Sequence, residues 1–200
     1  CVLKNVLRAS ATPWQVRMLS ADAIKRRARE LGFDLCGIAP AAAFPELLNL
    51  EEWLARGYAG EMDYLVKSAH VRDDIRHFLP SARSVIVMGT VYNTQPSGLR
   101  SQASDIRDPI AVARYARGRD YHKVIEDRLF ELISWMRTES AESFEAAHFV
   151  DKHQVQERVY AHHAGVGWIG KNSCVINPEL GSWMFLSGIA VSLELEPDAP

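Results

Sequence analysis

GVGWIGKN, residues 165–172, satisfies two phosphate-binding patterns at once, and the way it is read decides the fold. Gly165, Gly167 and Gly170 fit G-x-G-x-x-G, while Gly165 to Lys171 fits G-x-x-x-x-G-K. Both patterns work by aiming backbone N–H groups and a helix N-terminus at phosphate, so each needs a strand before it and a helix after it. Here the flanks run the other way. Val155 to His163 carries helical spacing ahead of the glycines, and Cys174 to Asn177 reads as a strand behind them. The residue after Lys171 is Asn172, which has no hydroxyl to offer magnesium. The context argues against a nucleotide-binding loop of either kind. Two readings remain open: a helix C-cap running into a tight turn, or a glycine-dense surface, with Trp168 and Lys171, that lets backbone approach something flat or charged.

Outward from this turn, helices and strands alternate irregularly. Trp183 to Leu195 reads as a strand on one side, and His148 to Asp151 as a short strand on the other. Asp120 to Arg137 has helical periodicity, with Val124, Ile125, Leu129, Leu132, Ile133 and Met136 on the buried stripe. SVIVMGTVY, residues 84–92, is β-branched and continuously apolar, which predicts a central strand. Nearer the start, Ser20 is placed to cap a helix carrying Ala21, Ile24, Ala28 and Leu31, stopped by Gly32. Phe33 to Ala39 follows as a buried strand closed by Pro40. Pro45 opens a helix with Leu47, Leu50 and Leu54 inward and its end at Gly57, and Met62 to Ser68 forms a shorter one. Residues 93–109 read as a long polar surface excursion, and residues 1–19 as a loosely held extension. The pattern predicts an α/β (α+β) layered sandwich, one domain over 20–196, with 197–200 opening a linker.

Composition narrows the function classes. Two hundred residues, 48% of them apolar, suffice for one sizeable core. The absence of an eighteen-residue apolar run or a signal-peptide pattern predicts a cytoplasmic protein without a membrane association. The three cysteines, Cys1, Cys36 and Cys174, form no C-x-x-C pair, so neither a disulfide framework nor a cysteine-held metal is expected. A net charge of −2 gives no global attraction to nucleic acid. Locally, Arg114, Arg117, Arg119, Lys123 and Arg128 make a basic run diluted by Asp120, Glu126 and Asp127, equally readable as a solvated helix face or a phosphate-contacting patch.

Two stretches concentrate polar chemistry. Asp151 ends a strand behind Phe149 and Val150. There it is either a partly desolvated acid suited to giving up a proton or an N-cap for the next helix. His148, His153, His162 and His163 gather around it, yet no H-x-x-x-H or H-E-x-x-H spacing appears, so no protein metal site is expected. Tyr115 to His122, YARGRDYH, is compatible with a helix start capped by Asp120.

Taken together, GEMDYL (60–65), RDDIRHFLPSARSV (72–85), RYARGRDYHKVI (114–125), HFVD (148–151), QERVYAHHAGVGWIGKN (156–172) and NPELGSWMFLSGI (177–189) resemble the epoxyqueuosine reductases, relatives of the reductive dehalogenases, in order and spacing. The resemblance runs from about residue 20 to the end of the chain. It implies an oxidoreductase that removes the epoxide oxygen of epoxyqueuosine in tRNA, the last step to queuosine, on a nitroreductase-like fold that binds cobalamin. Asp151 falls on the family's proton donor. Arg72, Ala113, Arg158, Ile169, Gly170, Lys171, Asn172 and Ser173 fall on its cobalamin contacts, with Asp151 also against the cofactor and Gln156 as a further candidate. Arg114, Arg117, Arg119 and Lys123 become candidates for facing tRNA. Full-length members continue into a ferredoxin-like domain holding 4Fe–4S clusters, which these residues do not bind, and a monomer is expected.

One local departure stands beside the acid. Where the family carries small residues, this chain has Lys152, His153 and Gln154, which are expected to narrow the pocket or to retune the acid. A second reading, a non-catalytic cobalamin-binding module, remains open at this stage.

Overall fold

The computed structural model describes residues 19–93, 113–116 and 118–200. The expected extension, apart from Leu19, and nearly all of the polar excursion lie outside these residues, as does Arg117. In chain order the elements are α1 (Ala21–Glu30), β1 (Leu35–Pro40), α2 (Asn49–Ala55), α3 (Asp63–Ser68), β2 (Ser84–Val91), α4 (Tyr121–Glu139), β3 (Ala146–Phe149), α5 (Glu157–His163), β4 (Trp168–Ile169), β5 (Val175–Ile176) and β6 (Met184–Val191).

Four strands form one antiparallel sheet in the order β1-β2-β6-β3, and β4 and β5 pair as a separate two-stranded ribbon. In β2, alternate side chains point to opposite faces. Ile86 and Met88 join Ile24 and Ala28 of α1 and Leu129, Leu132 and Met136 of α4. Val85 and Val87 join Phe149, Val159 and Tyr160 on the α5 side. The result is a helix–sheet–helix sandwich. β2 is central, as its composition predicts, and its apolar run is unbroken because both faces are covered, not because the sheet is parallel.

Local signals place most boundaries. Ser20 accepts the Ala23 N–H at 3.2 Å, Asp120 caps α4 through the His122 N–H at 3.0 Å, and Gly32 takes φ +88° behind α1. The helix expected from Pro45 to Gly57 is instead a 3₁₀ turn, Pro45–Leu48, followed by α2. Leu47 is buried on the turn, whereas α2 buries no residue fully. The last strand ends at Val191 rather than Leu195. Past the last strand the chain returns to β1: Asp198 accepts the Ile38 N–H at 2.8 Å, returns its own N–H to the Ile38 carbonyl at 2.8 Å, and pairs with Lys25 at 2.5 Å. These bonds cover the open edge of β1. On the α5 side, a Cβ at Gly37 would stand 1.9 Å from the Ala164 carbonyl oxygen, so only glycine lets the end of α5 rest on β1.

Candidate functional site

Between the ends of α2, α3 and α5 and the loop after β3 lies a cleft of about 740 Å³. Its wall includes Arg72, Asp151, Gln156, Arg158, Ile169 and Ser173, six of the positions singled out in the sequence, together with Glu46, Tyr64, His153 and Glu157. Clefts of this size suit a sizeable organic ligand. The structure thus gathers residues far apart in sequence, from Glu46 to Ser173, onto one surface.

Asp151 follows β3 in the left-handed region at φ +49°. That conformation is uncommon for a side-chain-bearing residue and is tolerated best by Asp and Asn. Three contacts hold it. Tyr121 donates its hydroxyl to Asp151 Oδ2 at 2.7 Å, His122 Nε2 stands 3.5 Å from the same oxygen, and the Asp151 N–H donates to Glu157 Oε1 at 2.6 Å. The N-cap reading of Asp151 is overturned: α5 starts at Glu157 behind Gln156 and has no side-chain cap. The expected desolvation is not at Asp151 either, since its side chain is 63% accessible. It falls on Glu157, whose carboxyl burial pushes up to about 7, the Asp151 N–H pulling the other way. Burial and the adjacent Asp151 carboxylate push the Tyr121 phenol upward, so it stays a donor.

Three members of this cluster, Tyr121, His122 and Glu157, carry no assigned role in the sequence. His122 lies between two acids, with Nδ1 2.8 Å from Asp120 Oδ1 and Nε2 facing Asp151. Tyr121 is fixed by stacking on Phe185, ring centroids 3.9 Å apart and nearly parallel. The signal for both sits in YARGRDYH, but their meeting with Asp151 needs the tertiary fold.

The remaining candidates separate. Gln156 spends its amide nitrogen on the carbonyls of Leu47 and Arg72, at 2.9 and 3.0 Å, and so ties the cleft walls together. Arg72 donates Nε to Ser68 Oγ at 2.9 Å. Arg158 on the wall and exposed Lys171 make no hydrogen bond or ion pair with a described residue, which leaves two cations for a ligand. Gly170, Lys171 and Asn172 are not on the wall but join Ile169 to Ser173, which are. Asn172 Oδ1 accepts the Cys174 N–H at 3.1 Å. Ala113 is exposed and off the wall. Of the three bulky residues beside the acid, only His153 reaches the cleft. Its Nδ1 accepts the Val150 N–H at 3.2 Å and its ring meets Phe78 edge-on, while Lys152 and Gln154 point to solvent.

The glycines of GVGWIGKN prove to serve the chain itself. Gly165 takes φ +68° past the end of α5. A Cβ on Gly167 would meet the Ile176 carbonyl oxygen at 2.3 Å, and one on Gly170 would meet Ile176 Cδ1 at 2.6 Å. The helix C-cap and tight turn account for them.

The basic run also divides. Arg114 bonds Asn93 and lies over the Trp183 ring at 5.3 Å. Arg128 donates to the Gly32 carbonyl at 2.9 Å and so ties α4 to the turn behind α1. Arg119 and Lys123 are exposed. Trp183 and Tyr115 are 45% and 53% exposed, and Trp183 leads through Tyr92 and Phe185 to Tyr121. An aromatic row therefore runs from an exposed, cation-capped ring to the acid. No helix of the described residues is long and apolar enough to cross a membrane.

Residues 72–152 match the family described as "Epoxyqueuosine reductase QueG, DUF1730". An epoxyqueuosine reductase of Gloeobacter violaceus is 44% identical over 183 residues, 90% of this chain and 54% of that protein. A crystal structure of an epoxyqueuosine reductase with an epoxyqueuosine-modified tRNA(Tyr) stem loop superposes with a TM-score of 0.73 at 25% identity, over 90% of this chain and 47% of that one. A B12-dependent reductive dehalogenase shares the fold, with a TM-score of 0.54 at 18% identity over 90% of this chain and 21% of its own. The chain thus spans about half the length of the reductases it matches. Family profile, sequence and fold agree: over the residues matched, the chain is similar to the epoxyqueuosine reductases.

Proposed function

We propose that this chain forms the cobalamin-binding and acid-bearing part of an enzyme that reduces epoxyqueuosine to queuosine in tRNA. The observation that carries this reading is the meeting of Asp151 with Arg72, Gln156, Arg158, Ile169 and Ser173 around one cleft. The donor set suits the cofactor: two guanidinium groups and backbone at Ile169 and Ser173 match a ligand rich in amide oxygens and carrying a phosphate. Arg72, Arg158 and the 169–173 segment would hold it, while Gln156 keeps the walls together. Cobalamin held there would supply a strongly reducing cobalt centre.

Replacing an epoxide by an alkene consumes two electrons and two protons and releases water. The three cysteines of the sequence cannot form the quartet that a 4Fe–4S cluster needs, so the electrons enter from a donor outside these residues. In its protonated form Asp151 gives a proton to the epoxide oxygen. The carboxylate left behind retains the Tyr121 hydrogen bond and faces His122, so the developing charge is met by donors already in place. Glu157 acts as a positioning residue, holding the Asp151 N–H and with it the left-handed turn that presents the acid. The RNA substrate is read through Trp183 and Tyr115, whose exposed rings offer stacking for unpaired bases, with Arg114, Arg119 and Lys123 near the backbone.

Titration of the purified chain with cobalamin, followed by visible spectrum and calorimetry, tests the reading. Saturable one-to-one binding, weakened in Arg158→Ala, is the expected result. No binding, or binding indifferent to Arg72→Ala and Arg158→Ala alike, rejects the cleft as the corrin site.

A further inference from the structure

The fold brings together a second polar cluster that no spacing in the sequence announces. Glu46, on the 3₁₀ turn Pro45–Leu48, meets His162 and His163 at the end of α5, and one ligand atom from each lies within 4.8 Å of the other two. His163 Nε2 is 3.3 Å from Glu46 Oε2. That separation matches the edge of a tetrahedron with metal–ligand arms of about 2.0–2.1 Å. His162 has the outer-sphere carbonyl expected of a metal-ligating imidazole, and His163 is held by ring packing. His162 Nδ1 stands 3.3 Å from the Gly167 carbonyl oxygen. A carbonyl can only accept, so this contact leaves the lone pair on Nε2. The His163 ring lies flat on Phe44, centroids 3.6 Å apart at 3°, and Phe44 is itself packed edge-on against buried Tyr160. The two imidazoles are thus oriented before any ligand arrives, and they face a carboxylate at the rim of the cleft.

We propose that Glu46, His162 and His163 form a site for a divalent transition metal of the zinc class, with three protein ligands and one position left to solvent. Two imidazoles and a carboxylate are a donor set that zinc accepts, and the three groups are only partly buried, so an ion can reach them. The ion would clamp the turn after β1 to the end of α5. The proposal is independent of the cobalamin reading, because neither corrin nor RNA enters its test. The alternative is a plain ion pair between His163 and Glu46, which would bind no metal.

The test is calorimetric titration of the cobalamin-free chain with Zn²⁺ alone, paired with thermal unfolding at rising Zn²⁺. The expected result is one-to-one binding and an unfolding midpoint that climbs with Zn²⁺ concentration. Glu46→Gln and His162→Gln, conservative changes on partly exposed groups, should each weaken binding at least about tenfold, the loss that even an outer-sphere partner of a metal ligand costs. His77→Gln, which removes an imidazole paired elsewhere with Asp73, should leave binding unchanged. Absence of Zn²⁺ binding overturns the site. So does binding that survives both Glu46→Gln and His162→Gln, or that falls equally with His77→Gln.

Discussion

The two irregular stretches that flank α5 solve opposite problems. The glycine turn, residues 165–174, looks in sequence like a ligand cradle, yet its glycines are consumed by the chain's own packing against Ile176 and behind α5. The acid loop, residues 150–156, looks in sequence like a helix start, yet it caps nothing. It carries a left-handed aspartate and leans on a half-buried glutamate whose pKa is raised to about 7. Each stretch holds one side-chain-bearing residue in the left-handed region, Ser173 at φ +62° in the turn and Asp151 at φ +49° in the loop, but only the loop sets it against a perturbed carboxyl. A perturbed carboxyl beside a strained acid, held in place by surrounding contacts, is the arrangement that gathers at reactive sites. The perturbed carboxyl distinguishes the loop, and the packed glycines distinguish the turn.

The largest expected effect comes from Asp151→Asn. The side chain keeps its size and tolerates the same φ, so the fold and cobalamin affinity should hold. Turnover on epoxyqueuosine-containing RNA, with cobalamin and a low-potential chemical reductant, should fall by about 10²- to 10⁴-fold. Equal loss of cobalamin binding would turn the loop into a structural element and dissolve the contrast with the turn.

Next is Glu157→Gln, read through pH. The folded-state pKa of about 7 lies above the ordinary glutamate value of 4.5, so the folded protein holds this proton more tightly than the unfolded chain. Between those values stability falls as pH rises, and the full cost is present above pH 7. A shift of this size corresponds to about 3 kcal/mol at most, less whatever solvent access screens. Glutamine can still accept the Asp151 N–H but does not titrate. Urea unfolding at pH 5.5 and 7.5 should therefore show the wild type losing more stability across this interval than the variant. Identical losses would mean that Glu157 is not held at a cost.

Gly167→Ala tests the other side of the comparison. Its Cβ would strike backbone at 2.3 Å, and the ribbon of β4 and β5 must shift to admit it. A loss of about 1–3 kcal/mol in unfolding free energy is expected. A variant of unchanged stability would return these glycines to the ligand.

These contrasts also show what could be read before folding. β2 is legible because six consecutive residues, Ser84 to Gly89, are buried whichever face they point to, and Ser20 and Asp120 because caps act over two or three residues. The break between the 3₁₀ turn at Pro45 and α2 is not, because it depends on Leu47 being pulled into the α5 face while Leu50 and Leu54 stay half-buried. The same holds in the site. Asp151, Arg72 and Arg158 come from family-like segments, each short and local. Tyr121, His122 and Glu157 acquire their meaning only when α4, β3 and α5 converge, and Glu46 acquires its own across 117 positions from His163. Resemblance names residues that lie in motifs; long-range polar contacts need coordinates.

The smallest effect concerns Lys152, His153 and Gln154, the residues that depart from the family-like pattern beside the acid. The structure divides them, since Lys152 and Gln154 are exposed and only His153 lines the cleft, braced on Val150 and Phe78. Replacing Lys152 with Ser and Gln154 with Ala should move stability by no more than about 0.5 kcal/mol, as exposed positions usually do, and leave the cobalamin dissociation constant unchanged. His153→Ala should do more. It releases the Val150 N–H and opens the cleft wall next to Asp151, so loop stability and cobalamin affinity should both respond. If the exposed pair proves more costly than His153, solvent-facing charge rather than loop packing governs the acid, and the structural division between the three residues is wrong.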